Sequence, residues 1–143
     1  KSDGKKVTKD FSKLNQYEVT KKGSKVAVIG LGAFYGLGEE TAKVIREKTG
    51  VEPTVINPYY ITGLDEALLK DLKKEHQVVI TLEDGILDGG FGEKIARYYG
   101  DSDMKVLNLG LKKEFLDRYD VQDVLKKNHL TASQIAEDVL KLL

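Results

Sequence analysis

The chain has 143 residues, 41% hydrophobic and 32% charged, with 23 basic against 23 acidic side chains. That suits one domain with a real core and gives no support for a nucleic-acid footprint. Cysteine is absent, which excludes disulfides, a thiol nucleophile and a cysteine metal site. No run approaches the roughly 18 apolar residues of a membrane span, and the first residues are too polar for a signal peptide. The expectation is a soluble cytoplasmic protein with neither nucleic acid nor membrane as partner.

Residues 1–25 hold eight lysines against three acids. Residues 1–16 read as a flexible basic linker, since few of them can enter a core. The chain begins at Lys1 and reads as a piece of a longer polypeptide. "YEV" (17–19) suggests a short edge strand, and Gly23 breaks the chain after it. "KVAVIG" (25–30) has the continuous apolar character of a buried strand. The Gly-rich "GLGAFYGLG" follows, then a helix over "EETAKVIREKTG", with Gly50 as its C-cap.

"EPTVINP" (52–58) predicts the next strand, bounded by Pro53 and Pro58. "LDEALLKDLKKEH" predicts a helix with Leu64, Leu68, Leu69 and Leu72 on one face. "QVVITLE" predicts a strand, the loop of "EDGILDGGFGEKIARYY" (83–99) opens a helix near residue 90, and "MKVLNLGL" predicts a fourth central strand. "EFLDRYDVQDVLKKNHL" suggests one or two short helices. The last helix starts at Thr131, where Thr131 and Gln134 are spaced as a capping box. The alternation implies an α/β fold, with a mostly parallel sheet covered on both faces.

Two loops invite a chemical reading. "GLGAFYGLG" lies between a strand and a helix, as a dinucleotide loop would. Tyr35 stands where the fingerprint needs its last glycine, and Asn57 where it needs an acid. The simpler reading is a tight strand-to-helix turn. In the second loop Glu83 and Asp84 end a strand at the edge that ligands favour. Gly89 and Gly90 leave N–H groups at a helix start. Adjacent strand residues point to opposite faces, so the two carboxylates are poorly placed to act on one atom. His76 and His129 read as helix C-terminal or surface residues. Tyr59–Tyr60 and Tyr98–Tyr99 suit either an interface or a half-buried core. Arg97 and Arg118 have nothing near them that completes a phosphate pocket.

Taken together, "KVAVIGLG", "EPTVINPYYITGLDEALL", "VVITLEDGILDGGFGEKI", "VLNLGL" and "DVLKKNHLTASQIAEDVLKLL" resemble one family. It is the C-terminal domain of the 1-deoxy-D-xylulose-5-phosphate synthases, which are transketolase-like enzymes. Departures include Thr62–Gly63 for a common Lys-Pro, and Lys112 for a common Pro. The resemblance implies a three-layer α/β/α sandwich over residues 17–143, with a mixed, mostly parallel sheet of about five strands. It also implies a parent enzyme that condenses pyruvate with glyceraldehyde 3-phosphate, using thiamine diphosphate and Mg²⁺, for isoprenoid precursors. Those cofactor sites belong to the family's first two domains, and their Gly-Asp-Gly run is missing here. No catalytic, cofactor-binding or metal residue is therefore expected in this chain, and none of those groups is expected bound to it. The implied partners are the N-terminal and middle domains and a second copy in a homodimer. The structural or interface candidates are Glu83, Gly89, Gly90, Phe91 and Gly92. Glu83 would take the loop's N–H groups, and Phe91 would be an apolar plug. The alternatives are a stand-alone nucleotide- or phosphate-binding module and a regulatory module using the basic arm.

Overall fold

Residues 16–59, 63–84, 90–111, 126 and 131–143 are described by a computed structural model. The elements are β1 (Glu18–Lys21), β2 (Lys25–Gly30), a 3₁₀ turn (Gly32–Phe34), α1 (Tyr35–Thr49), β3 (Thr54–Asn57) and α2 (Glu66–Leu72). They continue with β4 (His76–Asp84), α3 (Phe91–Tyr98), β5 (Lys105–Leu111) and α4 (Ala132–Leu140). The five strands form one sheet in the order β1-β3-β2-β4-β5. β2, β3, β4 and β5 pair in parallel, whereas β1 runs antiparallel to β3.

Strand periodicity divides the core in two, because successive side chains point to opposite faces. Val26, Val28, Val78, Ile80 and Leu82 meet Ile45 of α1 and Ile135 and Val139 of α4. Ala27, Ile29, Ile56 and Val79 meet Leu69 and Leu72 of α2 and Phe91 and Ile95 of α3. Both faces of the central strands are thus covered, which is why β2 from Val26 to Ile29 and β4 from Val78 to Ile80 are continuously apolar. The architecture is the expected α/β sandwich on a mixed, mostly parallel sheet.

Local signals placed several ends well. Gly50 caps α1 with a left-handed φ of 78°, and its N–H donates to the Arg46 carbonyl at 2.8 Å. The Thr131–Gln134 capping box is formed in both directions, each bond 3.2 Å. Asp65 caps α2 by accepting the Leu68 N–H at 3.1 Å.

Three expectations need correction. α1 starts at Tyr35, so the second half of the Gly-rich stretch is helical. Packing overrides glycine's poor propensity there, with Gly38 seated against Val28. α2 ends at Leu72 and His76 opens β4, because its pairing with Lys25 of β2 draws it into the sheet. β5 is an edge strand in this sheet, not a central one. Residues 1–15 and the short helices expected within 114–130 lie outside the described residues, apart from Lys126.

Candidate functional site

The carboxyl ends of the parallel strands gather the strand-to-helix loops, and both sequence candidates lie there. At the end of β4, Glu83 is only 8% exposed. One carboxylate oxygen accepts the Phe91 N–H at 3.0 Å, and the other accepts the Gly92 N–H. Glu83 therefore supplies the first turn of α3 with the anionic acceptor that its free donors and dipole favour. Such charge-assisted bonds are worth about 1.5–3 kcal/mol each. Beside it, the buried Thr81 hydroxyl donates to the Asn108 side-chain oxygen at 2.6 Å, across paired positions of β4 and β5.

These polar groups close on Gly92. A β-carbon there would lie 2.6 Å from Glu83 Oε2 and 2.8 Å from both Asn108 Oδ1 and Thr81 Oγ1. Gly90 is different, since its φ of −75° is open to any residue. Phe91 is 1% exposed and meets the Tyr17 ring edge-on, with centroids 5.8 Å apart. Gly89, Gly85 and the Asp84 side chain lie outside the described residues. Thr81 and Asn108 escaped the sequence reading. The available signal was a polar residue interrupting each of two apolar strands.

The first Gly-rich loop is closed by backbone. Leu31 N–H donates to Leu82 O at 2.9 Å, Gly32 N–H to Tyr59 O at 3.3 Å, and Phe34 N–H to Leu31 O at 3.1 Å. A β-carbon on Gly30 would lie 2.7 Å from Tyr35 Cα and 2.8 Å from Phe34 O. The glycine thus lets the helix start directly against the strand. The donors a phosphate would need at Leu31, Gly32 and Phe34 already have protein acceptors.

His76 is not a helix-terminal surface cation. Its Nδ1–H donates to the Leu72 carbonyl at 2.9 Å, so Nε2 of the neutral ring accepts the Thr54 hydroxyl at 2.7 Å. Burial pushes its pKa below the ordinary 6.5. The Tyr17 N–H donates to Asp65 at 2.9 Å, and burial pushes its phenol up to about 12. Tyr99 is buried, with its hydroxyl donating to Leu69 O at 2.7 Å. Tyr98 stacks edge-on against it. Tyr59 is exposed, as is Arg97. Tyr60, Arg118 and His129 lie outside the described residues.

Among the described residues no three His, Asp or Glu side chains converge on a point where a metal could bind. The buried carboxylate of Glu83 is already committed to two N–H groups. These residues do not fit a diphosphate–Mg²⁺ cradle. No described helix is long and apolar enough to cross a membrane.

The mixed sheet, with helices on both faces, defines a doubly covered α/β domain. The chain belongs to the transketolase C-terminal domain family: "Transketolase, C-terminal domain" matches residues 15–135. It is 33% identical over 129 residues, 89% of its length, to 1-deoxy-D-xylulose-5-phosphate synthase of Clostridium beijerinckii. It is 31% identical over 140 residues, 96% of its length, to that of Clostridium tetani. It spans 21% and 22% of those two proteins, about a fifth of their length. Among solved structures, a split-gene transketolase described as an inactive beta4 tetramer has a TM-score of 0.70 at 26% identity, over 90% of this chain and 42% of that one. A mutant transketolase from Pichia stipitis shares the fold, with a TM-score of 0.57 at 15% identity, over 92% of this chain and 18% of that one.

Proposed function

We propose that this chain is the C-terminal structural domain of a 1-deoxy-D-xylulose-5-phosphate synthase. The parent enzyme would be cytoplasmic and would join pyruvate to glyceraldehyde 3-phosphate with loss of carbon dioxide, feeding isoprenoid precursors. The carbanion chemistry belongs to thiamine diphosphate, held with Mg²⁺ by the other domains. Residues 17–143 would form the domain, and residues 1–16 its basic linker.

The observation that carries this reading is the similarity to the clostridial synthases along nine-tenths of the chain. The geometry supports a scaffold role. Glu83, the best-placed acid, holds a helix start, and the Leu31, Gly32 and Phe34 N–H groups of the other loop donate to carbonyls. The domain's work is then to pack against the middle domain and to help form the homodimer. The carboxyl-edge candidates Glu83, Gly89, Gly90, Phe91 and Gly92 would shape that packing.

The test has two arms. The purified chain should neither consume pyruvate nor give a heat signal with thiamine diphosphate and Mg²⁺. A chimera of the C. beijerinckii synthase, with this chain in place of the matched segment, should make 1-deoxy-D-xylulose 5-phosphate. Turnover by the chain alone would overturn the proposal. So would an inactive chimera beside an active C. beijerinckii enzyme.

A further inference from the structure

Tyr59 is the most exposed of the large hydrophobic residues described, at 49%, and one of two described non-glycine residues with a positive φ. Its φ of 59° places a bulky residue in the left-handed region, where such residues are outliers. Three bonds hold it there. Its N–H donates to Asn57 Oδ1 at 2.6 Å, its carbonyl accepts the Gly32 N–H at 3.3 Å, and its hydroxyl donates to the Glu18 carboxylate. Backbone strain over-determined by several contacts clusters at functional positions, which motivates a functional reading of Tyr59. Here the product of the strain is an aromatic ring held out into solvent.

The topology says what lies opposite. Glu18 is the first residue of β1 and pairs with Asn57, the last residue of β3. Because β1 is antiparallel to β3, its first residue lies at the carboxyl edge, beside Tyr59. In the clostridial relatives about four-fifths of the protein lies outside the region matched by this chain. The opposite edge carries Lys73, Lys74, Glu75 and Lys105, all exposed, which suit water better than a dry interface.

We infer that the carboxyl edge around Tyr59 is the surface by which this domain docks on the preceding domain of the same synthase, with Tyr59 as its rigid aromatic anchor. This rests on the function proposed above. The partner surface offers an apolar recess for the ring, the setting in which an aromatic side chain becomes a hot spot. Fixing the ring in advance removes an ordering cost from docking.

Hydrogen exchange on the free chain and on the chimera tests it. Amides of residues 18, 32, 57 and 59 should slow at least tenfold in the chimera, while those of residues 73–77 stay within twofold. Tyr59→Gly should leave the melting temperature of the free chain unchanged or raise it, because glycine relieves the left-handed strain. In the chimera the same change should abolish the extra protection. An active chimera with no protection at the carboxyl edge, or with protection indifferent to Tyr59→Gly, overturns the inference and leaves the proposed function standing. An inactive chimera overturns both. Protection that grows with the concentration of the free chain identifies a second copy as the occupant and overturns the choice of partner.

Discussion

The two glycine-rich loops at the carboxyl edge solve one problem in two ways. Each must end a parallel strand and start a helix within a few residues, where the helix leaves N–H groups unpaired. Between β2 and α1 the answer is backbone. Gly30 admits the Tyr35 Cα, and the Leu31 and Gly32 N–H groups reach the carbonyls of Leu82 and Tyr59. Between β4 and α3 the answer is a side chain. Glu83 reaches past the loop to take the Phe91 and Gly92 N–H groups. A glycine motif and a carboxylate beside a helix start are thus both signs of closure in this domain, although either resembles a ligand site when read alone.

Mutation should separate the two solutions. The largest effect is expected from Gly30→Ala, whose new methyl meets backbone at 2.7 and 2.8 Å. Backbone cannot swing aside, so unfolding in urea should show a loss of about 3 kcal/mol, the upper range for overpacking. Gly92→Ala comes next. Its methyl meets side-chain oxygens at 2.6 and 2.8 Å, which can move only by giving up their bonds, and about 2 kcal/mol should be lost. If Gly92→Ala proved harmless while Gly30→Ala did not, the Glu83 cluster would not be the fixed acceptor described here.

Glu83→Gln should cost about 1–2 kcal/mol, because an amide nitrogen would face a buried N–H in place of an acceptor. Combined with Gly92→Ala it should cost less than the sum, since the two share one contact. Combined with Gly30→Ala it should be additive. A denaturation cycle reads both outcomes, and equal coupling in the two pairs would erase the distinction between the loops.

The smallest effect is expected away from both loops, at His76. Its folded pKa lies below 6.5, so the neutral ring is favoured in the native state. Its contribution is fully present above pH 6.5 and is lost as pH falls through the depressed folded value. Melting scans between pH 7.5 and 5 should show a slope that His76→Gln removes and Gly92→Ala leaves in place. A slope unchanged by His76→Gln would assign the pH response to other groups.

Much of this protein was legible in order along the chain. The apolar runs of β2 and β4, the stop at Gly50, and the Thr131–Gln134 box are read from residues a few positions apart. Their physics is equally local: side-chain period, φ at one glycine, and a cap reaching three residues. The same patterns mark which faces are apolar, and hence the covered, mostly parallel sheet. They could not rank β5 in the sheet, because strand order depends on pairing between distant segments.

The tertiary structure alone decided the rest. Thr81 meets Asn108 across 27 positions through strand register, and that meeting makes Gly92, with its ordinary-looking neighbours, the crowded glycine. Gly90 and Gly92 look alike in sequence, but Gly90 has a φ of −75° that any residue adopts, whereas a β-carbon on Gly92 would meet three side-chain oxygens. Tyr59 takes its left-handed turn within bonds to Glu18, Asn57 and Gly32, two of them far away in the chain. Composition and periodicity determine which faces are buried, whereas close approach is set by which distant segments the fold brings together.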